Sequence, residues 1–426
     1  MAATTPSPGA QRVAITAWSA ITFAALLAGF AAFRPVRDAL VLDGSPDDIP
    51  WLFTATFVST VIVSPLWSRL LANRPKRRVV PRAFHLVAFG ALVFAALVQS
   101  HWRPVGVGRA FYVWSSVFNL FVVSVFWSLL VDLIGPGWAQ RLYGPIAVGG
   151  TAGTLVGPVL ARVVAEYFEV SAVLVLCAIL LEVAVLGAWR VRVVGEALER
   201  EDGDAEAAAD APVASSAWVG FQRVIHSRYL LMIVGYVLCT ATAATFLYLE
   251  QASITKAAFA TREARTEFFA ELDTWIAAAT IAIQLVFAGP LLRWVGPGIV
   301  LCILPIAQAV GISTLALTPT VSVLAIVQVI ARSSTHGLTR PARELLFTVA
   351  TREDKYHAKN VIDLAGYRFG DFASSWAKRG LVALGGGAAT LIAATLALTG
   401  IWLALAIALG LGFRNRTKEH HDDRSP

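Results

Sequence analysis

Long apolar runs alternate with short polar turns along almost the whole chain. Runs of about 20 residues match the length that a helix needs to cross a hydrocarbon layer about 30 Å thick. The pattern predicts twelve helical spans, at 13–33, 50–72, 80–98, 108–132, 144–166, 170–190, 229–250, 270–293, 296–317, 320–341, 358–384 and 387–412. The runs are continuous rather than alternating, which argues against an outer-membrane barrel. One long polar stretch, 191–228, interrupts the series, and its centre reads EALEREDGDAEAAAD. The predicted organisation is therefore a six-helix bundle at 1–190, a linker at 191–228, a second six-helix bundle at 229–413 and a tail at 414–426.

The two halves carry a weak internal match. Residues 129–153, LLVDLIGPGWAQRLYGPIAVGGTAG, align with 345–370, LLFTVATREDKYHAKNVIDLAGYRFG, with one gap. Each stretch joins the fourth and fifth spans of its half. The predicted fold class is an all-α membrane protein, twelve transmembrane helices in two six-helix parallel repeats. That is the architecture of major-facilitator transporters.

Composition agrees with a membrane protein: 57% of the 426 residues are hydrophobic and 15% are charged. The formal net charge of +7 raises nucleic acid as a partner, but the placement of the charges argues against it. With the N-terminus inside, the inner segments hold 24 of the 35 Lys and Arg residues and the outer segments seven. By the positive-inside rule both termini are cytoplasmic, and a multi-pass protein of the bacterial inner membrane is expected. The densest basic run, RPKRR at 74–78, then meets anionic headgroups rather than nucleic acid. Cys177, Cys239 and Cys302 all sit in apolar runs and read as small hydrophobes. No GxSxG, HExxH, P-loop or CxxC motif is present, so neither an enzyme, a cofactor nor a metal centre is predicted.

Ionisable residues inside a span are costly and count as functional candidates. Arg37 and Asp38 follow the first apolar run. They read either as interface anchors or, if the helix continues past Pro35, as an anion-binding Arg37 with its carboxylate neighbour. Glu250 ends the seventh span and Asp273 begins the eighth, as end caps or as gating groups. Glu182 lies deep in an uncharged run and must be protonated, paired or wetted. Arg332, His336, Arg340 and Arg343 are spaced by four, four and three, which places them on one helix face. In the eleventh span Asp363, Tyr367, Asp371, Ser374, Ser375 and Lys378 form a second stripe, with Arg368 one turn before Asp371. Such stripes face protein or water, as a cavity lining or as an interhelical network. In the aromatic fourth span Trp114 and Asn119 read as packing or as a surface for a flat solute.

Gly144, Gly153, Gly157 and Pro158 match G-x8-G-x3-G-P in the fifth span. This resembles the signature of major-facilitator exchangers and drug/proton antiporters. Ala161 and Arg162 stand where that signature has two glycines. Gly149, Gly153 and Gly157, each four apart, predict close helix packing.

Several stretches together resemble the ATP/ADP exchanger (nucleotide translocase) family of intracellular bacteria and plastids, most closely its free-living bacterial branch. They are RPVRDALVLDG at 34–44, PWLFTATF at 50–57, WSSVFNLFVVSVFWSLLVDL at 114–133, FLYLEQASI at 246–254 and KYHAKNVIDLAGYRFGD at 355–371. The resemblance implies that Arg37 occupies the position of a lysine in an R-x-x-K-D pattern, and that Glu250 matches a glutamate closing the seventh span. It departs elsewhere: Val113, Ser115 or Asn119 stands where the family has an acidic residue, and Asp371 stands where it has a basic one.

The expected function is secondary active transport of a small anionic solute by alternating access. Arg37, Trp114, Asn119, Arg332, His336, Arg340, Arg343, Tyr367 and Arg368 are the substrate-binding candidates. Asp38, Glu182, Glu250, Asp273, Asp363, Asp371 and Lys378 are the candidates for gating or proton coupling. Nucleotide exchange stands beside a proton-coupled exporter of another solute and a non-transporting scaffold or sensor. The chain is expected to be monomeric.

Overall fold

A computed structural model describes residues 8–72, 76–133, 136–201, 222, 224–349 and 366–422. Asp363 lies outside the described residues, as does most of the 191–228 linker. Among the described residues the chain is helical and contains no strand. Six helices form the first half: α1 Pro8–Val41, α2 Ile49–Ala72, α3 Lys76–Gln99, α4 Pro104–Leu133, α5 Pro136–Tyr167 and α6 Val170–Glu201. The second half holds α7 Arg228–Ala258, α8 Arg262–Trp294, α9 Gly296–Leu317, α10 Val321–Val349, α11 Tyr367–Ala383 and α12 Ala388–Asp422. Eleven described helices are long and apolar enough to cross a membrane. The described part of α11 is shorter and more polar.

Several predicted boundaries move. The first helix passes through Pro35 and ends at Val41 rather than at residue 33. Glu250 does not end its span, because α7 continues two turns to Ala258. Asp273 does not cap α8, which begins three turns earlier at Arg262. A charged residue marks a helix end only where it needs water, and these side chains have protein partners. Gly296, with φ +78°, supplies the left-handed residue that lets the chain turn sharply between α8 and α9.

Two helices are also not uniform. Residues Ile283–Ala288 of α8 and Thr335–Thr339 of α10 wind as π turns. Each π turn stands just before a proline, Pro290 or Pro341, whose missing N–H leaves the preceding turn one donor short.

Helices pack into two compact units. One comprises the described residues of Met1–Ser45, Val58–Ala208 and Phe259–Thr274; the other comprises those of Pro46–Phe57, Ala209–Ala258 and Trp275–Pro426. The units therefore follow the two halves of the sequence except in two short segments. In the first unit α1 packs on α5 and α6, and α3 on α6 and α4. Phe33, Phe84, Phe111, Phe126 and Leu26 are fully buried in its core. The α1–α5 contact is made by small residues on both sides. A Cβ on Gly149, Gly153 or Gly157 would run into the carbonyl oxygens of Ala20, Ala24 and Ala28 respectively. Pro158 follows within the same helix. In the second unit α9 packs on α12 and α7 on α11. Its core is built around Tyr236, Trp402, Phe347, Leu301 and Leu304. Both units carry large apolar side chains outward, such as Phe89 and Leu285, as lipid contact requires.

Candidate functional site

Each unit holds its own polar grouping among apolar helices. In the first unit the continuous α1 carries Arg34, Arg37 and Asp38 on its last turns. Arg37 donates from Nε to Asp38 Oδ1 at 2.8 Å, and its Nη2 is also 2.8 Å from that oxygen. The guanidinium lies 4.9 Å from the centroid of the Tyr112 ring on α4. Asp38 is buried, and the Arg37 side chain keeps 19% of its exposure. A partly solvated guanidinium held by a carboxylate and a ring keeps a fixed orientation, the geometry in which such a group can donate to an anion.

Trp114 lies close by but within a packed aromatic cluster. Its ring is 5.2 Å from Phe94, 5.4 Å from Phe118, 5.8 Å from Phe33 and 5.9 Å from Phe111. Gly90 leaves the space that the indole fills. Asn119 is exposed on the same helix. Asp273 is buried and forms an ion pair with Arg34 at 3.7 Å. Glu182 is elsewhere in this unit, beside His85 of α3.

In the second unit α7 and α11 pack together at close range. A Cβ on Gly370 would press into Ala241, and one on Gly366 would touch Val237. Along this seam Ser374 donates to Thr242 at 2.7 Å and Thr245 donates to Asp371 Oδ1 at 3.1 Å. Further along, Lys378 Nζ donates to Glu250 Oε1 at 2.6 Å. Lys378 retains 13% and Glu250 32% side-chain exposure. Of the stripe predicted on α11, Asp371, Ser374 and Lys378 meet α7, which brings Glu250, Asp371 and Lys378 onto one polar seam, whereas Tyr367 meets Arg343 of α10. The threonines of α7 were missed, because a lone Thr in an apolar run reads as filler.

The predicted basic face of α10 does not survive as one face. The π turn at Thr335–Thr339 winds more slowly than an α-helix, so residues before and after it change sides. Arg343 is buried and Arg340 is exposed, with Arg332 and His336 between these extremes. Arg343 Nη1 donates to the Tyr367 hydroxyl at 3.0 Å, and its guanidinium is 5.6 Å from that ring's centroid. Its Nη2 is 3.7 Å from the neighbouring Glu344. The backbone carbonyl of His336 accepts from Gln284 on the other π turn, at 3.2 Å. Arg368 is half-buried at the start of α11. Gln251 and Gln328 join α7 to α10 through a 2.5 Å hydrogen bond that the sequence did not flag. Among the described residues no three His, Cys, Asp or Glu side chains gather as metal ligands would.

The family model described as the Major Facilitator Superfamily matches residues 13–356. The chain belongs to the Major Facilitator Superfamily. No curated protein matches the sequence. Among solved structures the fold is shared with the nucleoside transporter NupG, at TM-score 0.63 and 13% identity over 95% of this chain and 98% of that one. A bacterial homologue of the iron transporter ferroportin, in an inward-facing state, aligns at TM-score 0.62 and 12% identity, covering 96% and 99%. A POT family transporter in complex with 5-aminolevulinic acid aligns at TM-score 0.61 and 10% identity, covering 93% and 94%. This major-facilitator protein is thus a multi-pass membrane protein of secondary-transporter type.

Proposed function

We propose that this protein carries a small anionic solute across the bacterial inner membrane by alternating access, with both termini in the cytoplasm. The observation that carries the reading is a motif repeated in the two units. Each holds an arginine beside a tyrosine ring and next in sequence to a carboxylate: Arg37, Asp38 and Tyr112 in one, Arg343, Glu344 and Tyr367 in the other. A guanidinium in a membrane helix is costly, and two built alike point to recognition of negative charge. The seam of Glu250, Lys378 and Asp371 supplies carboxylates and an ammonium whose pairing can change as the protein cycles.

Nucleotide exchange is the specific form we favour. It rests on the resemblance of the stretches around Arg37 and Glu250 to the ATP/ADP exchangers. Asp371 counts against tight binding of a polyanion, because a carboxylate stands where that family has a basic group. The structural neighbours carry titles as different as a nucleoside transporter, an iron-transporter homologue and a POT transporter, and do not choose the cargo. A proton-coupled exporter is the second reading, favoured by the carboxylates of Glu250 and Asp371 within spans.

Counterflow in proteoliposomes tests the choice. Labelled ATP should enter vesicles preloaded with ADP, and Arg37→Gln should reduce that uptake at least about tenfold through loss of a charge-assisted contact. Arg37→Gln should still elute as folded protein. Uptake by the variant equal to the parent removes Arg37 from the site. Absence of ATP movement, with a pH gradient driving another solute, selects the exporter.

A further inference from the structure

Two features of α10 meet at one carbonyl. Arg340 closes the π turn by donating its N–H to the Thr335 carbonyl, five residues back. In an α-helical register that N–H would serve His336 instead. In the π register the N–H of residue 341 would serve His336, but residue 341 is proline. The helix therefore offers the His336 carbonyl neither its i+4 nor its i+5 donor. A carbonyl inside a span takes its donor from protein or from water in a cavity.

Helix α8 supplies that donor. Gln284 Nε2 donates to the His336 oxygen at 3.2 Å. The preceding Ile283 packs on Gly337, where a Cβ would come within 2.6 Å of Ile283 Cγ2. Two consecutive residues of α8 thus meet two consecutive residues of α10, one as a packing surface and one as a hydrogen-bond donor.

The register fixed at this point decides where the following residues stand. One residue step of an α-helix is about 100°, and a π turn falls behind by about one such step. If the turn closed to α, each later residue would stand about where its successor stands now. Arg343 would take the exposed place of Glu344, and Glu344 the half-buried place of Leu345. In the π register the Arg343 side chain is only 7% exposed, and its Nη1 lies 3.0 Å from the Tyr367 hydroxyl on α11.

We propose that Gln284 is a positioning residue for Arg343. By serving the His336 carbonyl it holds the π register of α10, and that register keeps the guanidinium on Tyr367. Its consequence for transport rests on the reading of Arg343 as an anion-recognising group, whereas the register itself does not.

The test uses the full chain in lipid vesicles. Arg343→Cys and Glu344→Cys are made separately, and maleimide labelling at each position is read by mass spectrometry. With Gln284 in place, position 344 should label and position 343 should stay protected, although its guanidinium is gone. Gln284→Met keeps the length of the side chain and removes the donor. It should raise labelling at 343 about tenfold, as loss of one hydrogen bond to a carbonyl allows, and lower it at 344. Gln284→Lys retains a donor and should keep the parent pattern, which separates the hydrogen bond from side-chain volume. An unchanged pattern in Gln284→Met overturns the proposal, and so does an equal rise at both positions, which is loosening rather than rotation. The same holds if Gln284→Lys elutes as folded protein yet labels like Gln284→Met. Counterflow of ATP against ADP is measured in Gln284→Met with Arg343 in place, and it should fall with the register. A rotated register with uptake equal to the parent keeps Gln284 as the positioning residue and removes Arg343 from the solute site.

Discussion

The two segments that leave their own half of the sequence are held in opposite ways. Phe259–Thr274 joins the first unit, and its polar contacts are ionic. Arg262 lies 2.8 Å and Arg265 3.5 Å from Asp43, and Arg265 also donates to the carbonyls of Phe259 at 2.9 Å and Ala260 at 3.2 Å. Deeper along α8, Glu267 and Glu271 lie 4.0 and 3.8 Å from Arg162, and Asp273 pairs with Arg34. Pro46–Phe57 joins the second unit mainly through rings. Trp51 meets Trp376 edge-on at 4.8 Å, Phe53 lies 5.8 Å from Tyr248, and Phe57 stacks on Phe372 at 5.6 Å. Hydrogen bonds add to the rings, among them Trp376 to Thr54 at 2.9 Å and Arg379 to the Asp47 carbonyl at 3.0 Å. Ion pairs take their strength from their surroundings, whereas ring contacts follow buried area and geometry. The segment held by ion pairs is therefore the more responsive to charge.

The largest break in that contrast should come from Arg265. Its side chain is only 8% exposed and serves Asp43 and two carbonyls at once. Arg265→Met takes one of two arginines from the partly exposed Asp43 and the donor from two carbonyls, which together cost about 3 kcal/mol. Hydrogen exchange of the backbone amides in 259–274 should speed up by roughly two orders of magnitude, a direct conversion of that energy. The amides of 46–57 should keep their protection. Equal loss in both segments would show that the two are held as one.

A smaller effect is expected on the aromatic side. Trp376→Phe keeps a ring against Trp51 but removes the indole N–H that Thr54 accepts. The loss is about 1 kcal/mol, or roughly fivefold faster exchange in 46–57 alone. Unchanged exchange would mean that the rings alone dock the segment.

How far these contacts were legible depends on their range. Apolar run length exposed the helices because a bilayer leaves the backbone no alternative. The stripe on α11 was readable because its period is local, and α7 meets Asp371, Ser374 and Lys378 of it. The end of α7 was misplaced because Glu250 reads as a boundary until Lys378, 128 positions away, supplies its partner. Asp43, Arg262 and Arg265 drew no site reading, since no local period links residues so far apart in the chain. The π turn that divides Arg332 from Arg343 had a usable signal, the proline that follows it. A uniform helical spacing carried across Pro341 hid the break.

The smallest expected effect sharpens the ionic side by depth. Arg162 is 44% exposed, and its partners Glu267 and Glu271 are 40% and 45% exposed. Solvent screening holds such pairs to about 0.5 kcal/mol or less. Arg162→Gln should therefore speed exchange in 259–274 only about twofold, far below the effect of Arg265→Met. Raising salt from about 0.1 to about 1 M shortens the screening length from about 10 to about 3 Å and should remove most of that small increment in the parent. The same salt should change 46–57 less, because the ring contacts that hold most of it carry no net charge to screen. A twofold response in 46–57 as well would assign the salt effect to the membrane or the whole fold, and the distinction between an ionic and an aromatic segment would fall.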